Sequence, residues 1–331
     1  MTAYEKLQRA LKRRPRKWLV TGAAGFIGSH LVETLLRLNQ RVVGMDNFST
    51  GHAANLDDVR ANVTPAQRRA FRFIEGDITD AKDCARACRG AEFVLPQAAI
   101  GSVPRSFADP LGTHAPNTTG FLNVLQAARK ANAKRVVYAS SSSVYGDVKS
   151  SPKVESITGT LLSPYAVSKM VDELYAQVFS SGYGQELVGL RYFNVFGSRQ
   201  DPKGAYAAVI PRWTQELLRG KPTGIYGDGK TSRDFCYVAN VVQANLLAAT
   251  AKAAAGNVYN VAVGTRTTLN QLHRQLRTLT GSKAKPMHHG FRAGDVRHSL
   301  ANIRAAKRDL GYAPTHTLEQ GLALTVPWFA R

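Results

Sequence analysis

The sequence predicts an α/β protein built on a doubly wound parallel sheet with a smaller C-terminal lobe. Three observations lead there. Short runs rich in β-branched and aromatic residues alternate with amphipathic stretches through residue 193. The first run ends in spaced glycines, TGAAGFIGSH, where the chain turns from strand to helix. After about residue 194 the rhythm breaks, and Gly- and Pro-rich segments take over. Strand–helix alternation marks parallel sheets, because neighbouring parallel strands need a crossover connection.

Taken in order, WLVTG (18–22) reads as strand one. FIGSHLVETLLRL (26–38) is an amphipathic helix with Ile27, Leu31, Leu35 and Leu38 on one stripe. RVVGMD (41–46), FRFIEGD (71–77), EFVLP (92–96), RVVYAS (135–140) and ELVGLRYF (186–193) continue the strands, with helical stretches near 80–89, 117–131 and 163–181. FGSRQDPKGAYAAVIP and GKPTGIYGDGKTSRDF belong to the lobe. A helix near 238–251 and a strand at NVYNVAV (257–263) return to the main domain, and a helix near 268–279 starts the remainder of the lobe. The expected division is therefore 1–193 with 236–264, against 194–235 with 265–331.

Composition narrows the class. The length suits one large α/β unit with an added lobe. Cys84, Cys88 and Cys236 are too few for a disulfide framework. Cys84 and Cys88 sit one helical turn apart with no matching His or Cys pair, so no metal site is expected. The N-terminal MTAYEKLQRALKRRPRK carries charge but no apolar core, and no later run approaches a membrane span of ~18 apolar residues. A soluble, cytoplasmic protein without a membrane partner is expected. The net charge of +21 suits an anionic ligand. Its cations are scattered apart from a cluster at Lys12–Lys17, and tandem basic–aromatic segments are lacking, so nucleic acid is not the expected partner.

Gly22, Gly25 and Gly28 stand in a GxxGxxG spacing between strand one and its helix. The first permits a tight turn, the second lets backbone approach a pyrophosphate, and the third lets helix and strand pack closely. The helix start at Phe26 and Ile27 offers free N–H groups to the phosphates. Asp46 ends strand two about 20 residues later, as a Rossmann-type fingerprint requires. It is placed to accept hydrogen bonds from ribose hydroxyls and to repel a 2′-phosphate, which selects NAD over NADP. Asn47 beside it, Asp77 and Ile78 after strand three, and Gln97 after strand four are assigned to the same site by position.

SPYAVSKM supplies the chemistry. Ser163 can cap the helix and Pro164 fits its first turn. The i,i+4 spacing puts Tyr165 and Lys169 on one face. A phenol titrates near ~10 in water, but a nearby ammonium and a positive nicotinamide ring both favour phenolate, which makes a base. The hydroxyls of SSSSVYG (140–146) lie at the carboxyl edge of the sheet, where such sheets bind ligands. Spacing does not choose between Ser141, Ser142 and Ser143 as the proton relay.

TGAAGFIGSH, SSSVYG and YAVSK together resemble the extended short-chain dehydrogenase/reductase family of sugar-nucleotide enzymes, over nearly the whole chain. GSVPRSF (101–107), LRYFNVFGSRQDPKGAYAAVIP (190–211), SRDFCYVANVVQANLLAA (232–249) and GDVRHSL (294–300) resemble bacterial UDP-N-acetylglucosamine 4-epimerases of surface-polysaccharide and O-antigen synthesis. The resemblance implies a UDP-sugar substrate, tightly held NAD and a homodimer formed through helices like 109–131 and 163–181. It makes Tyr165 the base, Lys169 its partner and Ser141 the catalytic hydroxyl, with Tyr165 and Lys169 also contacting the cofactor and Ser142 and Ser143 lining the same pocket. It places Ser102 and Arg105 on the sugar, Asn194 against the substrate, Arg233 and Arg292 on the diphosphate, and Asp295 on the uridine ribose. Ser299 falls where Glc/Gal-restricted members carry a bulky Tyr, so it implies room for an N-acetyl group.

The implied reaction removes the 4-OH proton, passes hydride from C4 to NAD, turns the 4-keto sugar about its diphosphate tether, and returns hydride to the other face. Related dehydratases carry Asp-Glu where this chain has Ser142 and Ser143, which disfavours water elimination. A UDP-glucose/UDP-galactose epimerase, another UDP-sugar enzyme of the family, and a non-catalytic NAD- or RNA-binding protein are the alternatives. Pro96 departs from the family's usual His, and Asn302 replaces an acid at the start of a late helix.

Overall fold

The computed structural model describes residues 1–203, 207–291 and 297–331. Seven strands make the central sheet: β1 (Lys17–Thr21), β2 (Arg41–Asp46), β3 (Phe71–Glu75), β4 (Phe93–Pro96), β5 (Arg135–Ser141), β6 (Leu187–Tyr192) and β7 (Val258–Val261). All pairings are parallel, in the order β7-β6-β5-β4-β1-β2-β3. The order reverses at β1, which lies between β2 and β4, and that switch point opens a crevice at the carboxyl ends of the strands. The helices include α1 (Ala3–Arg13), α2 (Phe26–Arg37), α3 (Ala81–Cys88), α4 (Phe121–Lys130), α5 (Pro164–Tyr183), α6 (Val209–Leu218), α7 (Val238–Thr250), α8 (Leu269–Thr280) and α9 (Leu318–Phe329).

The strands are apolar on both sides because both faces are covered. Trp18, Val20, Leu95, Val137 and Val188 pack with Leu31 and Leu35 of α2 and Val241 and Leu246 of α7. Their alternates Leu19, Val94 and Val136 pack with Cys84 and Cys88 of α3, Val124 of α4 and Phe179 of α5. The three cysteines are buried and free. Burial pushes the Cys84 and Cys88 thiols up to about 12, so both behave as small apolar side chains.

A second core holds the lobe together, with Ile210, Trp213 and Leu217 of α6, Ile225, Phe235, Leu272 and Leu276 of α8, and Leu318, Leu322 and Val326 of α9. The boundary differs from the expected one. Ala301, Ile303, Ala306, Leu310 and Tyr312 belong to the main core. The helix Arg304–Leu310 packs beside β7, and the Tyr312 hydroxyl donates to Ala262 O at 2.9 Å. Asn302 accepts from Arg304 N at 3.0 Å, so it caps this late helix from one residue further out. Several helices were not expected, among them Ala53–Ala61, Val103–Ala108, α6, and the two terminal helices α1 and α9. Thr2 and Glu5 close a capping box on α1, and Thr317 and Gln320 do so on α9. The predicted 117–131 helix begins instead as a π-helical turn at Ala115–Gly120, with Pro116 in its first turn, before α4.

Candidate active site

The glycine turn is built by contact distances. Gly22 has φ +66°, and a Cβ there would lie 2.7 Å from Ala98 N. At Gly28 a Cβ would lie 2.0 Å from Gly22 O, so only glycine lets α2 pack onto the turn. Gly25 is the N-cap of α2 and caps it with no side chain. The first N–H groups of the helix at Phe26 and Ile27 therefore face the cleft without a capping oxygen.

Asp46 is buried at the end of β2. Its Oδ2 accepts from Ala24 N at 2.9 Å and its Oδ1 from Phe48 N at 2.8 Å. The carboxylate is thus pinned to the glycine turn, and each oxygen retains a lone pair for a ligand hydroxyl. Asn47 Nδ2 donates to Asp77 Oδ2 at 2.8 Å, joining the ends of β2 and β3. Burial works against the Asp77 carboxylate, but the N–H and hydroxyl of Thr79 and the Asn47 amide hold it below the usual carboxylate range. Ile78 is buried under Gly120, whose Cβ would lie 2.6 Å from the Ile78 side chain.

Pro96 is the last residue of β4, opposite Thr21 of β1. It causes no break, because the next two amides, Gln97 N and Ala98 N, both donate to Thr21 Oγ1 at 3.2 Å. The Gln97 side chain closes a triangle that the sequence did not reveal. Tyr192 Oη donates to Gln97 Oε1 at 3.2 Å, Gln97 Nε2 to Asn245 Oδ1 at 3.3 Å, and Asn245 Nδ2 to Tyr192 Oη at 2.8 Å. Burial pushes the Tyr192 phenol above its ordinary value, so this hydroxyl stays neutral.

These groups converge on a cleft of about 610 Å³. Gly22, Gly25, Phe26, Ile27, Gly28, Asp46, Asn47, Asp77, Ile78 and Gln97, all predicted for the cofactor, line it, whereas Tyr165 and Lys169, predicted for it too, are not among its lining residues. Arg199 also lines it and was missed. Arg199 is buried, paired with Asp58 at 2.5 Å and with Glu33, and so ties the chain after β6 to α2 and the helix Ala53–Ala61. Its partners lie 141 and 166 residues away, so no local pattern could announce it. A glycine cradle that a Cβ would fill, open helix N–H groups and a pinned carboxylate fit a dinucleotide.

The chemical groups meet at the neighbouring strand ends. Ser163 Oγ accepts from Ala166 N at 3.1 Å and Pro164 takes the first turn of α5, as the sequence predicts. Tyr165 is half-buried, whereas Lys169 is buried and donates from Nζ to Asp172 Oδ2 at 3.0 Å. Burial alone would lower Lys169, but the charges of Asp172 and Tyr165 outweigh it and hold the ammonium above its ordinary value. α5 packs against the turn Ser142–Tyr145 at the end of β5. There Ser141 Oγ accepts from Ser143 N at 3.1 Å, Ser142 is half-buried, and Ser143 Oγ is buried with no partner. Tyr145 donates to Asn260 Oδ1 at 2.6 Å inside the core.

The predicted substrate residues fall in two groups. Ser102, at φ +94°, caps the helix Val103–Ala108, its Oγ accepting from Arg105 N at 3.4 Å. Asn194 follows β6 at φ +34°, and its carbonyl accepts from Cys236 N at 3.2 Å. On the lobe, Arg233 Nη1 donates to the carbonyls of Ser232 and Arg297 at 3.0 and 3.2 Å, and Ser299 N donates to Ser232 O at 3.1 Å. Arg233 and Ser299 are therefore neighbours across Ser232. Arg292 and Asp295 lie outside the described residues. Asp234, also missed, is buried and accepts from the N–H groups of Val263, Gly264 and Ala301, which anchors this strand to the end of β7. Among the described residues, no helix is long and apolar enough to cross a membrane.

The chain is similar to known proteins over most of its length. The chain is 36% identical over 313 residues to a UDP-glucose 4-epimerase of Mycolicibacterium smegmatis, across 94% of this chain and 97% of that protein. A solved UDP-N-acetylglucosamine 4-epimerase from Methanobrevibacter ruminantium, in complex with UDP-N-acetylmuramic acid, superposes with a TM-score of 0.89 at 37% identity, covering 96% of this chain and 99% of that one. A UDP-glucose 4-epimerase from Thermus thermophilus in complex with NAD superposes with a TM-score of 0.84 at 33% identity, covering 95% and 99%. The model of the NAD dependent epimerase/dehydratase family matches residues 18–262. With that match and the dinucleotide cradle at the head of its sheet, the chain belongs to the NAD dependent epimerase/dehydratase family, and NAD is its cofactor.

Proposed function

We propose that this protein is a UDP-sugar 4-epimerase that interconverts UDP-N-acetylglucosamine and UDP-N-acetylgalactosamine. The observation that carries the reading is the pairing of Tyr165 and the buried Lys169 with a strand end that offers the hydroxyls of Ser141, Ser142 and Ser143 and no carboxylic acid. Such a site moves a proton on and off a sugar hydroxyl but has no group to expel water. Bound NAD supplies the hydride acceptor and donor. Tyr165 takes the proton of the sugar 4-OH and later returns it, while the Lys169 ammonium stabilises the phenolate. The serine hydroxyls hydrogen-bond the same oxygen. Gly22, Gly25, Gly28 and Asp46 hold the dinucleotide.

Arg233 grips the diphosphate with a planar donor, joined by Arg292, and Asp295 takes the uridine ribose, so the nucleotide stays fixed while the sugar turns. Ser102 and Arg105 contact the sugar, and Asn194 contacts the substrate. The direct test is chromatography of the products that purified protein forms from UDP-N-acetylglucosamine and from UDP-glucose without added reductant. Conversion of UDP-glucose alone would overturn the N-acetyl reading. Reduction or dehydration products would overturn epimerisation.

Ser299 supports the N-acetyl preference, because a short side chain beside Arg233 leaves room at the sugar. Ser299→Tyr is expected to lower kcat/KM for UDP-N-acetylglucosamine by about 10–200-fold, the range for one misfit group in a pocket, while UDP-glucose turnover survives. Equal losses on both substrates would remove Ser299 from the specificity pocket.

The same reading includes a homodimer. Val167, Leu174 and Val178 form one exposed stripe of α5, and Leu111, 80% exposed, and Phe107 extend it. The double change Leu174→Asp, Val178→Asp is expected to halve the sedimenting mass. A wild-type protein that sediments as a monomer would sink the assignment.

A further inference from the structure

Lys169 does not stand alone beside Tyr165. Three residues further along α5, Asp172 is fully buried and accepts from Lys169 Nζ at 3.0 Å. Its other oxygen, Oδ1, is buried with no hydrogen-bond partner. The adjacent carboxylate is served differently. Arg191 donates to Glu173 from Nε at 2.9 Å and from Nη2 at 2.7 Å, and Ser140 Oγ donates at 2.5 Å. Arg191 is thus committed to Glu173, and Asp172 relies on Lys169. A half-satisfied buried carboxylate is a poor device for stability, since an apolar residue of similar size would serve the fold as well or better. Its position on the catalytic helix, in contact with the lysine that faces Tyr165, gives it another use.

We propose that Asp172 is a positioning residue for Lys169, fixing the ammonium one turn from Tyr165 and setting, through it, the pH window in which the Tyr165–Lys169 pair works. This rests on the reading of Tyr165 and Lys169 as the acid/base pair. Asp172 is flanked by Lys169 and Glu173 on α5 and by Tyr138 from β5, while Tyr165 acts on Lys169 and Arg191 from β6 on Glu173. The helices Val103–Ala108 and Pro110–His114, packed on α5, bring Arg105, Asp109 and His114 to that side of the molecule. Burial pushes Asp172 up to about 7, against the pull of Lys169. Above that pH it is an anion, and it raises the proton affinity of every group near it. It therefore favours the protonated form of Lys169 and disfavours a second negative charge on the Tyr165 oxygen. Removing the charge relaxes both effects in one direction.

Asp172→Asn keeps the shape and deletes the charge. In the NAD-loaded protein both limbs of the kcat–pH profile are expected to move to lower pH by about one unit. A second readout does not need turnover. The ultraviolet absorbance of the Tyr165 phenolate, taken as the difference from Tyr165→Phe, should appear at correspondingly lower pH in Asp172→Asn. Asp172→Glu should return both readouts toward the wild type. If the Asn protein does not fold, Asp172→Ser carries the same comparison. A folded neutral variant whose profile and phenolate onset stay at the wild-type pH, whatever its rate, makes Asp172 a structural residue only and overturns the proposal. Epimerase activity surviving in Tyr165→Phe would instead overturn the parent reading, and the phenolate titration would still report on Asp172.

Discussion

Tyr165→Phe is expected to lower 4-epimerase turnover by about 10²–10⁴-fold, the usual worth of a positioned acid/base group, in a protein that still folds and still carries NAD. The substitution deletes one oxygen from a half-buried ring in the first turn of α5. It leaves the Ser163 cap and the Lys169–Asp172 pair untouched. The cofactor cleft is lined by other residues. Stability should therefore change by less than about 1 kcal/mol, which a thermal melt checks. Product chromatography then reads the chemistry separately. Turnover within a few-fold of the wild type would mean that another group takes the proton, and Ser143, with its buried, unpartnered hydroxyl, would be the first to examine.

Gly28→Ala is expected to cost the protein its cofactor. The new Cβ would sit 2.0 Å from Gly22 O, 2.7 Å from Gly22 C and 3.1 Å from Ala23 Cα. All three are backbone atoms, so no flexible side chain can yield. Relief requires α2 to move off the β1 turn, and α2 is the helix whose N-terminus faces the cleft. Overpacking of this kind costs about 1–3 kcal/mol or more, whereas helix propensity by itself would favour alanine over glycine by roughly 1 kcal/mol. A lowered Tm therefore isolates the packing clash. NAD released by heat from the purified variant should fall to background. Gly25→Ala is a control for the melt alone, because its Cβ would meet Gly22 O at 3.1 Å and a shift of a few tenths of an ångström suffices. If Gly28→Ala retains NAD and melts with the wild type, α2 does not hold the dinucleotide as assigned.

Much of this molecule could be read locally. The seven sheet strands were visible as short β-rich runs, and their bounds differ from the expected ones by no more than a few residues. The capping boxes of α1 and α9 were also written in the chain, as Thr2 with Glu5 and Thr317 with Gln320. α1 is a basic segment whose apolar stripe is thin, whereas α9 is largely apolar and carries Pro327 inside it. In α1 only Leu11 is fully buried. The return of residues 301–312 to the main core was not visible, because Tyr312 finds Ala262 across 50 residues of intervening chain.

What the sequence by itself determined is the local chemistry: the strand–turn–helix with its three glycines, the acid at the end of β2, the capped helix that carries Tyr165 and Lys169 on one face, and the serines at the end of β5. Each is a matter of torsion, spacing or a hydrogen bond within a few residues, so each leaves a mark on neighbouring positions. Only the tertiary structure decided which distant groups hold those parts in place. It closed Gln97 into a triangle with Tyr192 and Asn245, and tied Arg199 to Glu33 and Asp58. It also buried the α5 face on which Lys169 meets Asp172 while Arg191 of β6 occupies Glu173. The physical reason is that a charge or amide inside a protein takes its partner from whatever packing brings within reach, and packing is set by the whole sheet rather than by the residues beside it.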